Sequence, residues 1–219
     1  MAHACKASGR GPEAVQLLAV TKFNPPEAVL AAYAAGVRLF GENRVQEAES
    51  KLAALGGRVP DARFHLLGHL QSNKARKAVT LFGCVQSVDS IDIVRELGKR
   101  AASEGRVLDV LMELHTGEES KTGFSDTDSF LAALEEALGA GSLRPRGVMT
   151  MAPYTDDEKA IRSSFRACRA AFELAKARLE PPAWDTLSMG MTNDYTLAIE
   201  EGATMVRIGT AIFGQRRPL

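Results

Sequence analysis

A lysine closes an apolar run in "LLAVTKFNPPEAV", Leu17 to Val29. Leu17 to Val20 reads as a buried strand, and Lys22 stands just past it, ahead of a double proline. An amine there admits two readings. It is either a solvated side chain at a strand end or a pocket nucleophile that attacks a carbonyl to form an imine. Polar residues also end the other apolar runs: Glu42 and Asn43, His69 and Gln71, Ser87 and Asp89, His115 and Thr116, Thr150, Ser188 with Gly190, and Arg207 with Gly209 and Thr210. Parallel α/β folds put their chemistry at such strand ends. The plain role of a polar residue after a strand is to cap the next helix, and Ser90, Asn24 and Asp194 are assigned that role.

Two features stand above this background. "SMGMTND" is followed by "RIGTAIFG", so Ser188 and Gly190 close one run, and Gly209 and Thr210 close the next. Glycines let backbone N–H groups approach a ligand, hydroxyls add donors, and a following helix offers a positive N-terminus, a combination that suits phosphate. The second feature is Arg207 inside "TMVRIGTAIF". A guanidinium among apolar neighbours is costly unless paired, so it is either a structural ion-pair partner or a group facing a ligand.

These residues need elements to hold them. Short apolar runs at 16–20, 38–42, 64–68, 84–88, 110–114, 147–151, 186–190 and 205–209 alternate with stretches whose apolar residues recur at helical spacing. Near-continuous apolar runs between helices indicate parallel strands. Eight such units in one chain predict a compact α/β (β/α)8 TIM barrel as a single domain over residues 1–219, with an open doubly wound sheet as the alternative. In a closed barrel the first strand lies beside the eighth. Lys22 would then face a ligand whose phosphate sits at strands seven and eight, and Arg207 nearby would favour its neutral amine.

Basic and acidic residues balance at 27 each, so no net field favours nucleic acid or an anionic membrane. Cys5, Cys84 and Cys168 are far apart and in no CxxC arrangement, the pattern of free thiols in a reducing compartment. No stretch approaches the ~20 apolar residues of a membrane span, nor does the N-terminus resemble a signal peptide, so the expected location is the cytoplasm. His65 and His69 lack the partners of a metal site. The loop 115–126 reads as a solvated rim or a moving cover. "NKARK" reads as a helix face, and the methionines of "VMTMAP" and "SMGM" as core.

The motifs "LLAVTK", "FGENRVQE", "FHLLGHLQSNK", "GVMTMAP" and "SMGMTNDYTLAIEEGATMVRIGTAIFG" resemble the pyridoxal phosphate homeostasis proteins, the proline synthase co-transcribed family, from about Gly9 to Gly214. The resemblance implies a barrel like the N-terminal domain of alanine racemase, of PLP fold type III. It also implies pyridoxal 5′-phosphate (PLP) held as an imine, and a part in vitamin B6 and amino-acid homeostasis. By motif, Lys22 is the imine lysine. Ser188, Gly190, Met191, Gly209 and Thr210 cradle the phosphate, Arg207 faces the pyridine nitrogen, and Asn43 and His69 line the pocket. The chain departs from the family with "MTND" in place of Met-Ser-x-Asp, with His115 where asparagine is common, and with less sequence before "GRGPEAV".

An arginine at the pyridine nitrogen repels its proton and weakens the ring as an electron sink, which disfavours transamination. Racemisation needs acid/base groups on both faces of a substrate. The β domain that supplies a tyrosine in the racemases is expected to be missing, leaving Tyr154 as the one tyrosine near the rim. The expected function is therefore a PLP carrier or buffer without efficient turnover. Its expected partners are PLP and PLP-dependent apoenzymes as recipients, with neither nucleic acid nor membrane, and it is expected to be a monomer. A PLP-dependent racemase or lyase, and a cofactor-free Schiff-base aldolase, are the alternatives.

Overall fold

The computed structural model describes residues 1–117 and 122–214. The eight expected strands are β1 (Gln16–Val20), β2 (Leu39–Glu42), β3 (Arg63–Leu66), β4 (Cys84–Val88), β5 (Leu108–Glu113), β6 (Leu143–Met149), β7 (Thr186–Ser188) and β8 (Met205–Ile208). They run parallel in chain order and close into a barrel through β1–β8 pairing, with Leu18 opposite Arg207 and Ala19 opposite Ile208. Closure removes the open-sheet alternative. The largest departure in strand limits is β6, which starts four residues before the expected Gly147. Pro145 masks this start in the sequence, yet it is accommodated where the β5–β6 register shifts between Val110 and Leu111.

Helices cover the outside: α1 (Ala2–Ala7), α2 (Pro26–Ala34), α3 (Val45–Leu55), α4 (Ala75–Leu81), α5 (Ile91–Ser103), α6 (Thr127–Gly139), α7 (Glu158–Leu179), α8 (Tyr195–Glu200) and α9 (Thr210–Phe213). Local chemistry fixes their ends. Ser90 caps α5 by accepting from the Ile93 amide, and Asp157 caps α7 by accepting from Lys159 and Ala160. The double proline starts α2 abruptly, with Pro25 as the cap and Pro26 in the first turn. Asn24 is therefore not the cap expected of it; its side-chain amide turns back to the Lys22 carbonyl. Ahead of "GRGPEAV", α1 buries Ala4 and Cys5, and Arg10 donates to the carbonyls of Ile199 and Ala203 below α8.

Strand alternation divides the core in two. One layer lies between sheet and helices and holds Ala19, Phe40, Phe64, Leu66, Val85, Val110, Val148, Leu187 and Ile208. Phe82 and Phe165, both fully buried, belong to this layer, each worth ~1.5–3 kcal/mol of burial. Leu18, Val20 and Met205, with Leu39 and Leu67 against them, and Cys84, Leu111 and Met149, with Met151, form separate clusters inside the bore. The bore is so full at Gly41 that a Cβ there would meet Leu18 Cδ2 at 2.5 Å and Leu67 Cδ1 at 2.6 Å. All three cysteines are buried free thiols. Among the described residues no helix is long and apolar enough to cross a membrane.

Candidate functional site

The inward series of β1 runs Leu18, Val20 and then Lys22, which stands half-buried at the barrel mouth. The β1–β8 register ends with Ala19 opposite Ile208, so Lys22 leaves β1 on the side where β8 passes into α9. The chain then turns sharply. Phe23 takes a left-handed conformation (φ 63°), unusual for a residue with a bulky side chain, while its ring remains 49% exposed. Three groups behind the turn hold it. Thr21 donates from Oγ1 to Glu42 (2.6 Å), Lys51 donates to the Thr21 carbonyl and to Glu42 (2.7 and 2.6 Å), and the Phe23 amide donates to Glu47. Burial pushes the Glu42 carboxyl above the usual carboxylate range, against the opposing pull of Lys51 and Thr21.

Arg207 also faces the bore and is almost fully buried. Its Nη1 donates to Ser188 Oγ and its Nη2 to the Thr150 carbonyl, both at 2.8 Å. Ser188 in turn donates to Gln86 Oε1 (2.7 Å), and the Gln86 amide reaches His65 Nδ1 (2.9 Å). A continuous polar chain therefore crosses the bore from Arg207 to His65 below the mouth. Two neutral acceptors, the Ser188 hydroxyl and the Thr150 carbonyl, fix the plane of the Arg207 guanidinium. At the far end, burial above all, helped by Arg63 and Arg146 and opposed by Asp109, pushes the His65 imidazole down to about 4.

The residues expected to cradle phosphate divide. Ser188 is fully buried and its hydroxyl is committed to Gln86 and Arg207, and the Met191 amide donates to the Asp194 carboxylate. Desolvation raises the Asp194 carboxyl, opposed by that amide and by Arg207. Gly190 (φ 94°) packs so closely on α8 that a Cβ would lie 2.5 Å from the Ala198 Cβ. Gly209 and Thr210 do open α9 at the mouth, and Thr192 joins them, its hydroxyl 3.5 Å from the Ala211 amide. Sequence reasoning passed over Thr192, although "MTND" places a hydroxyl two residues ahead of the α8 cap, Asp194.

Across the rim, Asn43 continues the inward series of β2, and its carbonyl would lie 2.3 Å from any Cβ at Gly68. His69 is half exposed and its Nδ1 bonds Asp89 (2.7 Å), so it shares no ligand set with His65. His115 is pinned by its amide to the Phe124 carbonyl, and its Nδ1 is buried with no hydrogen-bond partner among the described residues. The described ends of the 115–126 loop zip back on β5: Leu114 bridges Phe124, and Thr122 donates to Glu113. Its centre, 118–121, lies outside the described residues, as does 215–219. Thr116 and Thr150 share a hydroxyl cluster with Ser164 of α7 behind the sheet. Tyr154 is 96% exposed.

Residues 4–217 match the family model for the alanine racemase N-terminal domain. The pyridoxal phosphate homeostasis protein of Vibrio alginolyticus is 43% identical over 212 residues, covering 95% of this chain and 89% of that one. The protein of the same name from Pseudomonas aeruginosa is 42% identical over 216 residues, at 98% and 90% coverage. PipY of Synechococcus elongatus, solved with PLP bound, superposes with a TM-score of 0.84 at 38% identity, covering 97% of this chain and 99% of PipY. Alanine racemase from Clostridium difficile shares the fold alone, with a TM-score of 0.72 at 13% identity. The chain belongs to the family of pyridoxal phosphate homeostasis proteins, built on the alanine racemase N-terminal domain.

Proposed function

We propose that this chain binds PLP through Lys22 and carries or buffers it in vitamin B6 and amino-acid homeostasis, without efficient turnover. The observation that carries this reading is the place of Lys22, just past the end of β1, the strand that pairs with β8 opposite Arg207. PLP supplies an aldehyde that a neutral lysine amine joins through a C=N bond, one water leaving. The remaining roles belong to the chain. Thr192, Thr210 and the amides opening α9 suit the phosphate, and Gly209, where a Cβ would meet the Val20 carbonyl at 3.2 Å, keeps the backbone close-packed there. Gly190 and Met191 shape this cradle through backbone packing, and Ser188 acts one step removed by orienting Arg207. Arg207, its guanidinium fixed by Ser188 and the Thr150 carbonyl, would face the pyridine nitrogen of PLP and disfavour its protonation. Asn43 and His69 line the opposite rim.

The proposal extends to a cytoplasmic, monomeric, single-domain protein with PLP-dependent apoenzymes as recipients. The relatives named as homeostasis proteins support a carrier. Tyr154, the tyrosine expected near the rim, is 96% exposed. Purified protein incubated with PLP should show a visible imine band that borohydride fixes at Lys22 and that Lys22→Ala lacks. A colourless wild type that PLP does not modify would sink the reading. Sustained turnover in chiral analysis with alanine or serine would replace it with the racemase alternative.

A further inference from the structure

Lys51 is buried to 5% exposure, and its three N–H donors have three acceptors: the Thr21 carbonyl, Glu42 and Glu47. The same Glu47 oxygen accepts from the Phe23 amide. The carbonyl before Lys22 and the amide after it are therefore both tied to α3. Apolar residues of similar volume would often pack there at less cost than a buried ion pair. They could not hold two peptide groups, nor a turn whose Phe23 conformation costs ~1–3 kcal/mol. Without that turn the chain would run straight from β1 toward α2 and lose the inward series that aims Lys22.

We propose that the Lys51–Glu47–Glu42 cluster on the outer side of the barrel is a positioning device for Lys22. It holds the strained Thr21–Phe23 turn so that the Lys22 amine meets an aldehyde carbon at the mouth. This rests on the reading of Lys22 as the PLP-binding lysine. A simple role in docking α3 to the sheet would need Lys51 and Glu42 only. The link from Glu47 to the Phe23 amide is what marks the turn itself as the object held.

The test uses full-length apoprotein titrated with PLP and followed by the imine band, with the thermal midpoint of each apoprotein measured alongside. Glu47 lies partly exposed, and Glu47→Ala removes the acceptor for the Phe23 amide. One charge-assisted hydrogen bond lost should weaken PLP binding about tenfold. Adding Phe23→Gly to that variant should restore most of the loss, because glycine adopts a φ of 63° without strain. Wild-type affinity in Glu47→Ala, or a double variant no tighter than the single one, would overturn the proposal even if the thermal midpoint falls. A wild type that shows no imine band overturns the proposed function instead, and this proposal with it.

Discussion

His65 should make the barrel acid-sensitive from within. Its imidazole accepts from the Gln86 amide in the bore and is held neutral, its pKa falling from 6.5 to about 4. The unfolded chain takes up a proton as pH drops below 6.5, while the native chain does so only near 4. Stability is therefore lost through that window as pH falls. A gap of two and a half pH units corresponds to about 3 kcal/mol. The raised carboxyls of Glu42 and Asp194 work the other way, since the native chain protonates them first on acidification. Wild type must therefore be compared with His65→Gln, which keeps a polar side chain beside Gln86 and removes only the titration. Urea unfolding of both, at about pH 7 and about pH 4, should show the wild type losing about 3 kcal/mol more than the variant. Equal losses in the two proteins would refute a neutral, buried His65.

Gly147 faces β7 at φ 151°, and a Cβ would lie 1.7 Å from the Thr186 carbonyl oxygen. Gly147→Ala should force β6 and β7 apart and cost about 3 kcal/mol or more, read from the urea midpoint. Arg207→Lys keeps the charge but cannot hold Ser188 and the Thr150 carbonyl together as a planar fork does. Losing one charge-assisted bond should lower apoprotein stability by about 1.5–3 kcal/mol, and unchanged stability would deny that the fork is held in both places.

The eight strands were legible because each is a compact apolar run, and their helices because most close on glycine or open on a hydroxyl or carboxylate. Ser90 behaves as such a residue should, and so does Asp157. Asn24 does not, because two prolines already fix the start of α2 and its amide finds the Lys22 carbonyl instead. The polar chain across the bore had no sequence signature. Ser188 and Gln86 are 102 residues apart, and nothing local to either marks the hydrogen bond between them. For that reason Ser188, two residues before Gly190, reads as a phosphate ligand, while the structure bonds its hydroxyl to Gln86 and Arg207 and sets Thr192 against the opening of α9.

One available signal was the period of two. Polar residues at strand ends look alike in a list, yet alternation assigns them to opposite sides of the wall. Lys22, Asn43 and Arg207 continue series that begin with Val20, Gly41 and Met205, which pack inside the bore. Thr21, Glu42 and Thr150 fall on the other parity, with Ala19, Phe40 and Val148 of the outer layer. Their partners follow from this: Thr21 and Glu42 meet Lys51 of α3, and Thr150 joins Thr116 and Ser164 of α7. The two sets are linked through the backbone they share, since Thr21 is the neighbour of Lys22 and the Thr150 carbonyl holds Arg207. Groups on the outer parity thus set where the inward ones point. A substitution behind the sheet should accordingly disturb the mouth more than one on the open rim at equal cost in stability.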